Sequence, residues 1–199
     1  MTQSIENKVF KRIRNKNKGW VFTPSHFLDL GSRTAVAQAL VRLVKKRAIR
    51  RLAHGLYDYP EKHKVLGDLP ANYERIAQAL AGRDSLKIQL SGAYGANLLG
   101  LTEQVPARIV FLTDGPNRKV QINKQQIVLK RTTPKNMATA GRVSGLVIQA
   151  LRHLGQDHVD NNIIGILKKR LSGDDKCQLM DDIRYAPVWI GNVFRQLQE

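Results

Sequence analysis

The sequence is poor in acidic residues, in cysteine and in long apolar runs, and each shortage removes a class of protein. Its 199 residues hold 16 Asp+Glu against 33 Lys+Arg, a formal net charge of +17 with a pI near 10.4. An excess of that size points to an anionic partner, either nucleic acid or a membrane surface. The single cysteine, Cys177, excludes an internal disulfide framework. There is no run of eighteen apolar residues and no secretory hydrophobic region, which predicts a soluble, cytoplasmic chain. A basic amphipathic helix with an aromatic apolar face is also missing, so membrane binding is not expected. The 42% hydrophobic content is enough to build a sizeable core, as one domain or two small ones.

What is there is concentrated between Gly19 and Tyr59. Ile5, Val9, Phe10 and Ile13 recur at helical spacing and predict a first helix, and Gly19-Trp20-Val21-Phe22 follows as a short strand. Thr23 is placed to cap a short helix from Pro24 to Leu30, with proline where the missing N–H does no harm and Gly31 as the stop. Ser32 is the expected N-cap of a longer helix from Arg33 to about Arg47. That helix has Val36, Leu40, Leu43 and Arg47 on one face and Thr34, Gln38, Val41 and Lys45 opposite. Ile49-Arg50-Arg51-Leu52 and Leu56-Tyr57-Asp58-Tyr59 flank Ala53-His54-Gly55 and read as a hairpin. This order is that of a winged helix-turn-helix, expected over residues 1–62, with the second long helix as recognition helix and the hairpin as wing.

Base edges are read from the start of such a helix, where Arg33, Thr34 and Gln38 stand. Arginine pairs bidentately with guanine, glutamine with adenine, and threonine offers a hydroxyl or a methyl group. Lys45 and Lys46, further along, suit phosphates. On the wing, Arg50, Arg51 and His54 form a basic edge, but the two arginines are adjacent in a strand and point to opposite faces, so only one can follow the phosphate backbone. The competing explanations are a protein-docking module and a merely solvated basic face. Charge distribution favours DNA: residues 1–70 carry 15 Lys+Arg against 5 Asp+Glu, and residues 71–199 carry 18 against 11. The excess per residue is more than twice as high in the first segment, where phosphate attraction is needed.

Periodicity breaks between Glu61 and Pro70, and a second domain is expected over 71–199. Helical signals around Tyr73–Leu80, 93–99, 143–154, 163–171 and 190–197 surround strand signals at 86–90 and 108–113 and a hairpin about Asn123-Lys124. The fold class is therefore α+β: a winged helix-turn-helix followed by a small mixed domain with a helical C-terminal tail. No catalytic or metal constellation is found, so the chain is not expected to be an enzyme or to carry a cofactor. Ser91-Gly92-Ala93-Tyr94-Gly95 lacks both Gly-Lys-Ser/Thr and Gly-x-Gly-x-x-Gly spacing and reads as a structural turn with a Ser91 cap. Asp174, Asp175, Asp181, Asp182, His153 and His158 read as surface or capping residues. Arg108, Arg118, Lys119, Lys124, Lys130, Arg131 and Lys135 make a second basic surface, which either assists DNA binding or guards a solvated sheet edge.

Several segments carry a resemblance: Gly-Trp-Val-Phe-Thr-Pro (19–24), Ala-Leu-Val-Arg-Leu-Val-Lys-Lys (39–46), Ile-Arg-Arg-Leu-Ala-His-Gly-Leu-Tyr (49–57), Ser-Gly-Ala-Tyr-Gly-Ala-Asn-Leu-Leu-Gly-Leu (91–101) and Val-Phe-Leu-Thr-Asp-Gly (110–115). Together they resemble the AbiEi-type antitoxins of type IV toxin–antitoxin systems, over nearly the whole chain and in a short branch. The resemblance implies an autoregulating repressor whose winged helix binds inverted repeats in its operator. It also implies a C-terminal domain that counteracts a nucleotidyltransferase toxin without a stable complex. It adds Arg42 to the recognition-helix residues, so the expected DNA-binding set is Ser32, Arg33, Thr34, Gln38, Arg42, Lys45, Lys46, Arg50, Arg51 and His54, acting as a monomer or weak dimer on DNA. The alternative is a stand-alone nucleic-acid-binding regulator, of DNA or RNA, with no toxin partner; against RNA, the strands present few aromatic residues for base stacking.

Overall fold

The computed structural model describes residues 4–82 and 86–199; residues 1–3 and 83–85, which fall inside the two expected domain ranges, lie outside the described residues. The chain divides into two compact units, Met1–Asp84 and Ser85–Glu199, and its class is α+β.

In the first unit, helix α1 (Ile5–Asn15) is capped by the Ser4 side chain, which accepts from the Asn7 N–H, and it buries Val9 and Ile13. Strand β1 (Val21–Phe22) is fully buried. The short helix expected as far as Leu30 is only a 3-10 turn over Pro24–Phe27. Bonds from His26 N–H to the Thr23 carbonyl and from Leu30 N–H to the Phe27 carbonyl keep this segment at i→i+3 spacing. Beyond it Gly31 lies against α1, where a β-carbon would stand 2.6 Å from Ile5 Cδ1. Helix α2 (Arg33–Lys45) follows, capped by Ser32 and burying Val36, Ala39, Leu40 and Leu43.

α2 terminates without glycine. Arg47 takes the left-handed position at φ 54°, donating to the Val44 carbonyl while Ala48 donates to that of Leu43, the paired bonds of a Schellman ending. Strands β2 (Arg50–Ala53) and β3 (Leu56–Asp58) form the hairpin, turned by Gly55 at φ 68°. With β1 they make an antiparallel sheet of order β1-β3-β2, which completes the winged helix-turn-helix order of elements. Its core holds an aromatic cluster: Phe22 and Phe27 meet edge to face at 5.4 Å, and Phe22 stacks on Tyr57 at 6.1 Å. Burying each such ring contributes roughly 2–3 kcal/mol.

Strands β4 (Lys62–His63) and β5 (Gly67–Asp68) form a minimal exposed hairpin. Helix α3 (Tyr73–Ala81), capped by Asn72 and closed by Gly82 in the left-handed conformation, lies in the first unit, past the break in periodicity at 61–70 that the sequence offers as a boundary. It packs on β1, and Arg75 Nη1 donates to the Lys18 carbonyl at 3.1 Å.

The second unit is built on a four-stranded sheet of order β6-β7-β9-β8, with β6 (Ile88–Ser91), β7 (Arg108–Thr113), β8 (Arg118–Ile122) and β9 (Gln125–Arg131). β7 and β9 run parallel, with Ile109 opposite Ile127 and Phe111 opposite Leu129; the other pairs are antiparallel. Helices α4 (Ala93–Leu98) and α5 (Pro134–Met137) are short. Longer ones follow: α6 (Val143–Leu154), α7 (Asn161–Arg170), α8 (Gly173–Asp181) and α9 (Val188–Gln198). Val147, Leu151, Leu167, Leu179, Ile190, Phe194 and Leu197 form the centre of their shared core. Among the described residues no helix is long and apolar enough to cross a membrane.

Candidate nucleic-acid interface

The residues of α2 expected to read DNA divide into those the fold uses and those it leaves free. Burial of Val36, Ala39, Leu40 and Leu43 against α1 and the aromatic cluster turns the opposite face of α2 outward. On that face Arg33, Thr34, Gln38, Val41, Arg42 and Lys45 are exposed. Ser32 accepts from the Ala35 N–H at 3.3 Å and caps the helix. Among the described residues Arg33, Thr34, Gln38 and Lys45 have no hydrogen-bond or ion-pair partner for their side chains. Val41, 47% exposed, stands in the same face, and its methyl groups are the kind that meet thymine. Lys46 differs: its Nζ donates to Glu6 Oε1 at 2.5 Å, and Arg42 lies 3.9 Å from the same carboxylate.

On the wing the two arginines part company. Arg50 stands directly across from Asp58 in the β2–β3 register. Its Nε and Nη2 donate to the two Asp58 oxygens at 3.1 and 2.6 Å, and Nη2 also reaches the Leu69 carbonyl at 2.9 Å. Asp58 is 1% exposed, and its hydrogen bond holds the Arg50 guanidinium protonated more firmly than usual despite desolvation. Arg50 is thus committed inside the module. Arg51 is exposed, with Nη2 3.2 Å from His54 Nδ1, so the basic edge of the wing consists of Arg51 and His54.

One strut has no counterpart in the sequence reading. Arg12 of α1 donates to both Asp29 oxygens at 2.7 and 2.6 Å and to the His26 carbonyl at 2.7 Å, tying the first helix to the turn that precedes α2. The Asp29 carboxyl is held below its ordinary range chiefly by the hydrogen bond from Arg12. No local motif marks positions 12 and 29 as partners.

In the second unit Arg108, Arg118, Lys119 and Lys130 line one shallow depression of about 440 Å³ over Val128 and Leu129, with Asn117 and no carboxylate in its wall. Lys124, Arg131 and Lys135 are exposed but do not line it. Two expectations for this unit change. Ser91 does not cap α4: Gly92 occupies the N-cap, and the Ser91 hydroxyl donates to Gln149 Oε1 at 3.3 Å. Asp182 is not a surface residue but 2% exposed, accepting from Arg142 Nη1 at 2.7 Å and from the Ser144 hydroxyl at 2.5 Å. Asp175 acts as a cap, in a reciprocal box with Ser172, and Asp160 caps α7. Among the described residues no three His, Cys, Asp or Glu side chains converge in a way that could hold a metal ion.

The model of a family of unknown function (DUF6088) matches residues 8–179, and the chain belongs to that family. No curated protein matches it. Among solved structures it is similar to the crystal structure of the RV2827C protein from Mycobacterium tuberculosis, at 12% identity and a TM-score of 0.46, covering 100% of this chain and 77% of that one.

Proposed function

We propose that this member of the DUF6088 family is a duplex-DNA-binding transcriptional repressor of the AbiEi antitoxin type. The observation that carries the proposal is the outward face of α2. Arg33, Thr34 and Gln38 are exposed in the first turns of the helix and have no side-chain partner among the described residues, whereas Arg12, Arg50 and Arg142 are each held by a carboxylate. Side chains with base-reading chemistry, left free at the groove-entering end of a helix, are suited to direct readout. Arg42 and Lys45 continue that face toward phosphates, and Arg51 with His54 extend it from the wing. The second domain is proposed to support the antitoxic effect against a nucleotidyltransferase without a stable complex.

The test is selection of a preferred duplex from a randomised pool, followed by titration of that site and of random DNA. Arg33→Ala and Gln38→Ala are expected each to lose about 1–3 kcal/mol on the selected site and little on random DNA. Equal losses on both would mean that neither side chain reads bases, and failure to enrich any sequence would remove the repressor reading.

A further inference from the structure

We propose that a cleft in the first unit, between the end of α1, strand β1 and helix α3, is a phosphate-binding site. It encloses about 210 Å³ and is lined by Lys16, Asn17, Trp20, His26, Arg75 and Gln78, beside Val21 and Ala79. Every polar lining residue can donate a hydrogen bond, two of them bear a full positive charge, and no carboxylate lines the wall. That is the donor set of an oxyanion site.

Arg75 is held in place by the backbone. Its Nη1 donates to the Lys18 carbonyl at 3.1 Å and crosses Gly19 so closely that a β-carbon there would stand 2.1 Å from it, while Gly19 itself sits at φ 82°. Glycine takes that conformation without strain and leaves the guanidinium room to cross it. One of the five guanidinium N–H groups is spent on that anchor, and among the described residues Arg75 forms no ion pair. Glu61 also approaches Gly19 without pairing to Arg75. Lys16 Nζ lies 6.0 Å from the centre of the Trp20 ring, bringing the second charge to the same wall. His26 Nδ1 lies 3.1 Å from the Thr23 N–H and 3.2 Å from its carbonyl, so Nε2 is the ring nitrogen that these bonds leave unused.

The volume exceeds what a lone phosphate group fills, and half-buried Trp20 adds aromatic surface to the wall. A phosphate ester that carries a small planar group therefore fits best. Such a phosphate can come from a free nucleotide or from a DNA strand, and only the second source rests on the proposed function.

Full-length protein and two variants at exposed positions, Arg75→Gln and Gln78→Glu, separate these sources, with urea unfolding confirming that each variant folds. Calorimetry would use adenosine monophosphate, inorganic phosphate and uncharged adenosine; fluorescence anisotropy would follow short duplexes across a salt series. For a free ligand, the monophosphate binds the wild type at least about tenfold more tightly than either variant, and adenosine does not bind. For a DNA phosphate, both variants weaken every duplex alike and lower the salt slope by about one. The proposal is overturned if the salt slope is unchanged in both variants and either adenosine binds as well as its monophosphate or the variants bind the monophosphate as the wild type does. It is equally overturned if no phosphate compound binds up to about 5 mM and the salt slope is unchanged. A chain that binds no DNA at all would remove the proposed function and leave the nucleotide titration to decide this one.

Discussion

At the scale of single residues, adjacent arginines on the wing have opposite uses. Arg50→Ala would leave Asp58, 1% exposed, with its charge uncompensated, and is expected to destabilise the first unit by about 2–4 kcal/mol in urea unfolding. Arg51→Ala is expected to leave stability within about 0.5 kcal/mol of wild type and to reduce the salt slope of DNA binding by about one. If the two variants exchange these phenotypes, the wing carries DNA through Arg50 and the cross-strand pair with Asp58 is dispensable. The Arg12–Asp29 strut adds a pH dependence. A carboxyl whose folded-state pKa is depressed stabilises the fold at pH above its unfolded value, about 3.9, and that contribution is lost as pH falls toward the lower folded value. Between pH 5 and 3 the urea midpoint of the wild type should therefore fall more than that of Asp29→Asn; parallel curves would show that the strut is inert. The strandedness of 49–52 was legible in the sequence, and so was the opposition of Arg50 and Arg51. Which of the two is committed was not, because the choice depends on Asp58 and on the Leu69 carbonyl, both brought over by tertiary structure.

At the scale of elements, periodicity was a good guide wherever an element buries one continuous stripe. α2, α6 and α9 lie close to where their apolar spacing puts them, and the hairpin about Asn123-Lys124 has the expected pairing. The short helix before α2 ends at Phe27 and not at Leu30, because Pro24 and Gly31 mark the ends of a segment and not the hydrogen-bond spacing within it. α3 gives no sign of its allegiance either, since an amphipathic stripe says that a helix packs and not against what. The end of α2 was legible only to within two residues, for a physical reason: its left-handed closing residue is Arg47, where glycine is the usual signal. Arg47→Gly should relieve that conformation and raise stability by up to about 1 kcal/mol, less the added entropy of the unfolded chain. Thermal or urea unfolding measures it, and a loss of stability would mean that Arg47 makes compensating contacts in solution.

At the scale of the whole molecule, basicity dominates, with a net +17 over 199 residues and both segments of the chain contributing. If five or so phosphates are engaged, raising salt from 50 to 200 mM should weaken duplex binding by about 100- to 1000-fold. A change of less than about tenfold would point to a small, mainly non-ionic interface. The balance of charge was fully legible in the sequence. The gathering of Arg108, Lys119 and Lys130 around one depression was not, because it depends on which strands are neighbours. That neighbourhood also implies a sequence in time. β9 sits between β7 and β8 although β8 precedes it in the chain, so its pairing with β8 closes across the two-residue turn at Asn123, while its parallel pairing with β7 has no local turn to make it. A β-hairpin forms in microseconds, whereas a parallel pairing waits for slower closure of a longer loop. On these timescales the β8–β9 ribbon forms before the β7–β9 pairing, and a nascent chain halted before Gln125 lacks the strand that joins β7 to β8.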